Sequence, residues 1–397
     1  MSTAFRRRIS PTERMYFPMR DMAPPFLMQL AIPGTGSLDA DRLRAAVATA
    51  ASACPGARLR RDGKYWVDTG VAPAVREISG HTPVYDRLEA DPVLCSPIAP
   101  TPETTCEVLL LTGDPVTVIF RVFHGVMDGM GMVIWARSVL AALRGDRPER
   151  FADPVADREL VRRLGAPGRP TAMIPRFRSA AGHGRQHADL PRHLLRRRTI
   201  AAAVPGAVAR VSALLADHAG TTARIMVPVD LRRHDPQLRS TANLALPLFL
   251  DIRPGEQWLQ VRDRMRAGLR DRTELDQLAA SAIAGAPHPV SRTVLRATNA
   301  LGARFGRNLA SATVSHMGRF DAAELAVPGW SPTSVLVLPQ HSVAMPLLFA
   351  MVEFDGRTEL TVSARGGAGI EQRLEVLLDR IVAELESAAP QPDSVSP

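Results

Sequence analysis

Two polar residues that could transfer a proton lie four positions apart in an apolar stretch of the chain. The segment RVFHGVMDGMGMVIWARSVL, residues 121–140, carries His124 and Asp128, and Gly129 follows directly. An unperturbed histidine titrates near pH 6.5, so its neutral ring can take a proton at pH 7. A glycine lets a substrate approach the backbone N–H closely, and that donor can stabilise an oxyanion. For an isolated HxxxDG pattern, the usual explanation is a core histidine satisfied by a neighbouring carboxylate.

The elements around this segment would place its polar residues where a strand ends. Residues 115–123 form an apolar run typical of a strand, and residues 131–144 have the spacing of a helix. The turn residues 112–114 predict a hairpin that pairs 106–113 with 115–123. A loop between a strand and a helix is a good mount for a side chain that meets substrate.

Periodicity elsewhere predicts a mixed α/β (α+β) chain. The predicted helices also include 39–54, 206–218, 255–272 and 370–388. The predicted strands also include 26–32, 223–231, 244–252, 333–339, 346–354 and 358–364. Asp355-Gly356 predicts a second hairpin turn.

A stretch rich in Pro, Gly and Arg interrupts this periodicity near the middle of the chain. We therefore predict an N-terminal lobe over 1–175 that carries the HxxxDG pattern, and a basic linker over 176–200. A C-terminal lobe would follow over 201–390, and a disordered tail over 391–397. Clefts between lobes are common places for binding sites.

Composition narrows the classes of function. The chain has 397 residues, of which 46% are hydrophobic and 22% charged, as in ordinary globular proteins. Its net charge of +9 comes almost wholly from arginine, since Lys64 is the only lysine, and the coding bias of a high-GC genome is a sufficient cause. The functional alternative is an acidic partner such as nucleic acid, a phosphorylated cofactor or a carrier protein. Only 5% of residues are aromatic and no recognition motif is present, so we expect no nucleic-acid role.

Several common sites are missing from the sequence. The three cysteines show no CxxC pairing, which argues against a disulfide framework and a zinc site. No GK[ST] phosphate loop, GxSxG elbow, GxGxxG turn or HExxH helix occurs. The start lacks the apolar core of a signal peptide, and no run of about eighteen apolar residues predicts a membrane span. We expect a reduced, cytoplasmic protein.

The layout resembles the chloramphenicol-acetyltransferase-like superfamily of thioester-dependent acyltransferases. It is most similar to nonribosomal peptide condensation domains and to stand-alone polyketide-associated and alcohol acyltransferases. Their HHxxxDG signature is matched by FHGVMDG from its second histidine on, with Phe123 in place of the first. The family's DFGWG-type motif has no match. Other segments match in order: ISPTERMYF (9–17), CPGARLRRDGKYWV (54–67), VPVDLRRHDPQLRSTANLALPLFLDI (227–252) and TVSHMGRFD (313–321).

The resemblance implies two chloramphenicol-acetyltransferase-like lobes, with mixed sheets flanked by helices, in a V shape with a tunnel at the lobe interface. His124 would be the general base. Asp128 would be structural and ion-paired with Arg232, and Gly129 would supply the oxyanion donor.

Other residues would support this site. Asn243 and Ser315 would line the tunnel or brace the contact between the lobes, although ordinary hydrogen bonding at a strand end is an equal alternative. Met127 would form part of an adaptable apolar wall, although core packing explains it equally well. His316 and His341 are rival histidines that we expect to be structural.

The resemblance also implies an acyltransferase of specialised metabolism, of the kind found in natural-product and antibiotic biosynthesis. It would move an acyl group from acyl-CoA or an acyl or peptidyl carrier protein to the hydroxyl or amine of a small-molecule acceptor. Coenzyme A or phosphopantetheine would enter only as part of the donor, without a metal or a permanently bound cofactor. Because both lobes lie in one chain, we expect a monomer. The alternatives are cyclisation, dehydration or epimerisation on the same scaffold, and a non-catalytic domain that docks a carrier protein.

Overall fold

The computed structural model of the chain describes residues 5–23, 25–85, 87–98, 103–165, 168–281, 288–340, 342 and 345–389. The predicted tail at 391–397 and the rival histidine His341 lie outside these residues. In the described part of the chain, no helix is both long and apolar enough to cross a membrane.

Strands and helices alternate along the chain. The strands are β1 (Arg6–Arg8), β2 (Leu27–Gly36), β3 (Leu59–Asp62), β4 (Tyr65–Asp68), β5 (Ala74–Ile78), β6 (Cys106–Leu111), β7 (Val116–Phe123), β8 (His193–Ile200), β9 (Ala223–Asp230), β10 (Ala245–Ile252), β11 (Ala312–Phe320), β12 (Trp330–Pro332), β13 (Leu336–Leu338), β14 (Leu347–Phe354) and β15 (Arg357–Arg365). The helices are α1 (Pro11–Met22), α2 (Ala40–Ala53), α3 (Gly129–Arg144), α4 (Asp157–Leu164), α5 (Ala207–Ala219), α6 (Trp258–Arg270), α7 (His288–Phe305), α8 (Ala322–Leu325) and α9 (Ile370–Ser387).

Two six-stranded mixed sheets form the framework. The first has the order β12-β2-β7-β6-β5, with β13 also paired to β2, and the second has the order β10-β9-β11-β14-β15-β8. A small three-stranded sheet has the order β1-β4-β3. Helices α2 and α3 bury their apolar faces in the core of the first sheet, and α5 and α9 bury theirs in the core of the second. The predicted fold class of mixed sheets flanked by helices is confirmed.

The predictions with strong local signals are confirmed. Helix α2 begins after Asp39, whose carboxylate accepts a hydrogen bond of 2.7 Å from the backbone N–H of Arg42. Strands β6 and β7 pair antiparallel as the predicted hairpin. Strands β14 and β15 form the other hairpin, and Asp355 and Gly356 in its turn both have positive φ.

The predicted basic linker over 176–200 is wrong at its C-terminal end, because its last eight residues form β8. This strand pairs along its whole length with β15 of the second sheet. The arginines of β8 form ion pairs with carboxylates. The acidic partners are Glu89, Glu371 and Glu375 for Arg196, Glu359 for Arg197, and Glu375 and Asp379 for Arg198. Each guanidinium of this strand therefore has a carboxylate partner from another element, so no arginine charge is left unpaired there.

The two halves of the chain also exchange strands. Although β12 and β13 come late in the sequence, both pair antiparallel with β2 of the first sheet. The ring of Trp330 packs directly on Gly34, where an added Cβ would lie only 2.4 Å from Trp330 Cε2. Its indole N–H donates a hydrogen bond of 3.2 Å to the carbonyl oxygen of Val116 in β7. Residues 330–338 therefore belong to the core of the first half.

Candidate active site

The loop between β7 and α3 carries the HxxxDG residues and is held in place by a contact with β1. The guanidinium of Arg7 in β1 donates a hydrogen bond of 2.7 Å to the carbonyl oxygen of Val126. The same guanidinium forms a fully buried ion pair of 2.6 Å with Glu13 of α1. The loop is therefore held by buried polar contacts as well as by the ends of the two elements it joins.

Asp128 links this loop to the second half of the chain. One carboxylate oxygen caps α3 by accepting a hydrogen bond of 2.7 Å from the N–H of Gly131. The other accepts bonds of 3.0 Å from Arg232 Nη1 and 2.7 Å from the N–H of Leu244. The side chains of Asp128 and Arg232 are only 3% and 10% exposed. The ion pair implied by the family resemblance is thus present and buried.

Arg232 is itself fixed in several directions. It donates hydrogen bonds of 2.8 Å and 2.7 Å to the carbonyl oxygens of Ser240 and Ala242, and a third of 2.7 Å to the carboxylate of Asp230. Burial acts to lower the pKa of Arg232, but the charges of Asp128 and Asp230 raise it above its ordinary value. The guanidinium remains a permanent cation between the two carboxylates.

His124 follows the last residue of β7 and is held by groups from both halves. The side-chain amide of Asn243 donates a hydrogen bond of 2.9 Å to the carbonyl oxygen of His124. Because a carbonyl oxygen only accepts, this bond fixes the orientation of the amide. The same Asn243 nitrogen lies 3.3 Å from Nδ1 of the imidazole. Asn243 therefore fixes the backbone of His124, and its side chain lies against the ring.

Tyr16 of α1 stacks on the imidazole. The two ring centroids are 4.2 Å apart and the ring planes differ by 16°. Helix α1 presents this ring because Ser10 and Glu13 form a reciprocal capping box at its start. Burial raises the pKa of Tyr16 to about 12, while contact with the Asn243 side chain acts in the opposite direction. The phenol is therefore neutral at physiological pH.

The imidazole of His124 is neutral near pH 7. Burial lowers the pKa of His124 below its ordinary value of 6.5. Hydrogen bonds to the backbone carbonyls of His124 and Met127, and the charge of Asp128, oppose this effect without cancelling it. The residue as a whole is nevertheless partly exposed. A neutral and oriented imidazole can act as a general base.

The other predicted site residues take different positions. Gly129 is the first residue of α3, and an added Cβ there would lie 2.3 Å from Cε of Met317, which covers this position. The hydroxyl of Ser315 lies 3.6 Å from the sulfur of Met317, the side chain that covers Gly129. Met127 is fully buried in the first core, as the core-packing alternative predicts.

His316, the rival histidine, makes the contacts expected of a structural residue. Its Nε2 lies 3.3 Å from a carboxylate oxygen of Glu353. Its Nδ1 accepts a hydrogen bond of 3.1 Å from the N–H of Gly318. Among the described residues, no group of three or more His, Cys, Asp or Glu side chains is arranged to hold a metal ion.

Solved structures of condensation domains share this architecture. The condensation domain of the monacolin K polyketide synthase MokA is 14% identical, and the match covers 96% of this chain and 97% of that one with a TM-score of 0.63. A mutant starter condensation domain of the rhizomide synthetase RzmA, solved with C8-CoA and Leu-SNAC, is 15% identical over 99% and 97% of the two chains, with a TM-score of 0.62. This chain has the condensation-domain fold. No protein-family model matches the sequence, and no curated protein shows significant similarity to it.

Within the condensation-domain fold, the structure brings together four of the residues named from the sequence. His124, Asp128, Arg232 and Asn243 form one connected set across the two halves. Sequence reasoning missed Tyr16, although the Ser-x-x-Glu pattern before it is a capping-box signal that predicts helix α1. The predicted tunnel at the lobe interface stays a prediction.

Proposed function

We propose that the protein is an acyltransferase of specialised metabolism that moves an acyl group from a thioester to a hydroxyl or an amine. His124 takes the proton of the acceptor as its oxygen or nitrogen attacks the thioester carbonyl. The tetrahedral intermediate then expels the thiolate, which leaves as the free thiol once protonated. The observation that carries the proposal is the neutral imidazole of His124, a partly exposed residue whose backbone Asn243 fixes and whose ring stacks on Tyr16.

Two other features support this chemistry. As the first residue of α3, Gly129 has a backbone N–H without a partner inside the helix, and the positive end of the helix dipole lies there. Such a donor suits the oxyanion of a tetrahedral intermediate. The carboxylate of Asp128 is directed to Arg232, so it orients the loop and does not compete for the proton of the acceptor.

Two donors fit the proposal, acyl-CoA and an acyl group on a carrier protein. The RzmA starter condensation domain was solved with C8-CoA, which supports the first. The acceptor would be a small molecule, and the protein would act as a cytoplasmic monomer with coenzyme A or phosphopantetheine present only as part of the donor.

The release of thiol tests the proposal directly. The purified chain is incubated with acyl-CoA donors of different chain length and a panel of amines and alcohols, and free thiol is measured with a chromogenic disulfide. Acyl transfer releases one thiol for each acylated acceptor, which mass spectrometry counts in parallel. A protein that consumes no thioester from any donor, including a loaded carrier protein, is not an acyltransferase.

Phe123 gives a specific reason to keep a second candidate function. The position of the family's first histidine is filled by this buried ring, which packs against Phe17 and lies 4.6 Å below the guanidinium of Arg20. The same scaffold could therefore catalyse cyclisation, dehydration or epimerisation, in which His124 still moves a proton but no thiol is released. A non-catalytic carrier-docking role would leave the product unchanged when His124 is replaced.

The stacking of Tyr16 on His124 leads to a prediction for the turnover number. Tyr16→Leu should lower kcat about tenfold, since an aromatic pair contributes about 0.5–1.5 kcal/mol beyond its buried area and here holds the base in orientation. The KM of the donor should stay unchanged. Tyr16→Phe keeps the ring and should recover most of the lost activity. Equal losses in the Phe and Leu variants, or a loss confined to KM, would contradict this positioning role.

The lowered pKa of His124 leads to a prediction for the pH dependence. The base is active only when the imidazole is neutral, so kcat/KM should fall as the pH drops through the pKa of the free enzyme. Because burial lowers that pKa, the acid limb of the profile should lie below 6.5. Steady-state rates between pH 4.5 and about 8, with a stability check at each pH, measure it. An acid limb above 6.5 would show that another group is titrating.

A further inference from the structure

One cavity in the second half is lined by three arginines, and among the described residues only Arg176 of the three has a carboxylate within ion-pair distance, that of Asp251 at 3.8 Å. It has a volume of about 380 Å³ and is lined by Arg176, Phe177, Arg178, Thr221, Thr222 and Arg307. We call it the arginine pocket. None of these six lining residues is acidic, in contrast to the arginines of β8, which all have carboxylate partners.

The walls of the arginine pocket are fixed by backbone contacts. Phe177 and Asn308 exchange hydrogen bonds of 3.0 Å and 2.9 Å between their backbones, which ties the segment before β8 to the segment after α7. Arg307 donates a further bond of 3.1 Å to the carbonyl oxygen of Arg176. The threonines follow Gly220, which ends α5 with a φ of 61°. Three separate segments therefore meet at the pocket without needing a ligand to assemble them.

The charge around the arginine pocket is strongly positive. The nearby carboxylate of Asp251 accepts two hydrogen bonds, of 2.7 Å and 2.9 Å, from Arg224. Its distance to Arg176 is longer, 3.8 Å. Arg224 also lies 4.4 Å from the centroid of the Phe177 ring, so it belongs to the same cluster. Asp251 is thus engaged mainly by Arg224, and the pocket arginines keep an excess of positive charge.

We propose that the arginine pocket binds a small molecule through a phosphate monoester or diphosphate group. Guanidinium groups bind phosphate oxygens in bidentate fashion, and threonine hydroxyls supply further donors. The arginines and threonines that line it are exposed, so the site is an open groove on the surface, and its volume lies in the range of about 300–1,000 Å³ that small-molecule sites occupy. The ring of Phe177 is only 4% exposed, so the phosphate, and not a stacked base, carries the recognition.

The arginine pocket is separate from the His124 site. Thr221 and Thr222 precede the start of β9, whereas Asp230 at its other end contacts Arg232 beside Asp128. Eight strand residues span roughly 25 Å at about 3.3 Å each. A phosphate in this pocket would therefore act at a distance from the general base.

Calorimetric titration of the full-length protein with inorganic pyrophosphate and with ADP tests the proposal. Both should bind, and Arg178→Gln and Arg307→Gln should each weaken binding at least about tenfold, because each removes a charge-assisted contact. Arg150→Gln is the matched control, since it removes an exposed arginine from the other half of the chain. An absence of binding, unchanged affinity in both pocket variants, or an equal loss in the Arg150 variant would overturn the proposal.

Kinetics then identify the source of the phosphate. If the phosphate belongs to the acyl donor, Arg178→Gln should raise the KM for acyl-CoA. The KM for acyl-pantetheine should not change, because acyl-pantetheine has no phosphate groups. If it belongs to a separate phosphorylated ligand, neither KM should change while pyrophosphate binding is still lost. Pyrophosphate binding without any thioester consumption would refute the proposed acyl transfer alone, so the two proposals fail independently.

Discussion

Replacing His124 with alanine is expected to lower kcat/KM for acyl transfer by about 10²–10⁴-fold, the usual contribution of a general base. His124 is partly exposed as a residue, and its stacking on Tyr16 is a side-chain contact, so the fold should survive the loss of the ring. Thiol release with a saturating acceptor measures the effect. The thermal midpoint of the variant, measured in parallel, separates lost chemistry from lost structure.

His316→Ala is the control for this experiment. That histidine is partly exposed and lies beside Glu353, outside the set formed by Tyr16, His124 and Asn243. Its removal should leave the rate close to that of the wild type. If the His124 variant keeps more than about a tenth of the activity, the imidazole is not the base. If product formation in the producing cell is also unaffected, the docking interpretation gains support.

Replacing Asp128 with alanine is expected to lower the free energy of unfolding by up to about 3–5 kcal/mol, because the buried Arg232 keeps only Asp230 as a carboxylate partner. The variant also loses the cap of α3 and the acceptor of the Leu244 N–H. Activity should fall as well, since the loop that aims His124 loses its anchor. Urea unfolding followed by circular dichroism measures the change.

A double-mutant cycle separates the ion pair from these other losses. Arg232→Leu alone should also destabilise the protein, because Asp128 and Asp230 would face each other without a cation. The Asp128→Asn and Arg232→Leu double variant should cost clearly less than the sum of the Asp128→Asn and Arg232→Leu single variants. Strictly additive effects would show that the pair contributes nothing of its own.

The elements predicted correctly are those whose signals are local. Asp39 caps α2, and Asp355-Gly356 forms the turn between β14 and β15, through contacts within a few residues. The end of β7 before His124 follows from an apolar run bounded by glycine. Such features depend on short-range sterics and hydrogen bonding, which the sequence displays directly.

The elements that were missed depend on partners far along the chain. Three consecutive arginines in β8 resemble a linker until Glu89, Glu359 and α9 are brought beside them. The contact of Asn243 with His124 crosses 119 positions. The family resemblance implied only that Asn243 would line the tunnel or brace the contact between the lobes. The stacking of Tyr16 had no signal beyond the cap of its helix. Nonlocal packing decided each of these cases.

The exchange of strands between the halves limits where this chain can be cut or recombined. A first half produced alone would lack β12 and β13, and the edge of β2 would be open to pairing with another molecule. A hybrid that joins this first half to the second half of a related protein must also import a segment equivalent to 330–338 that fits the edge of β2. Substrate range is therefore better altered by replacing single side chains near His124 than by shuffling whole lobes.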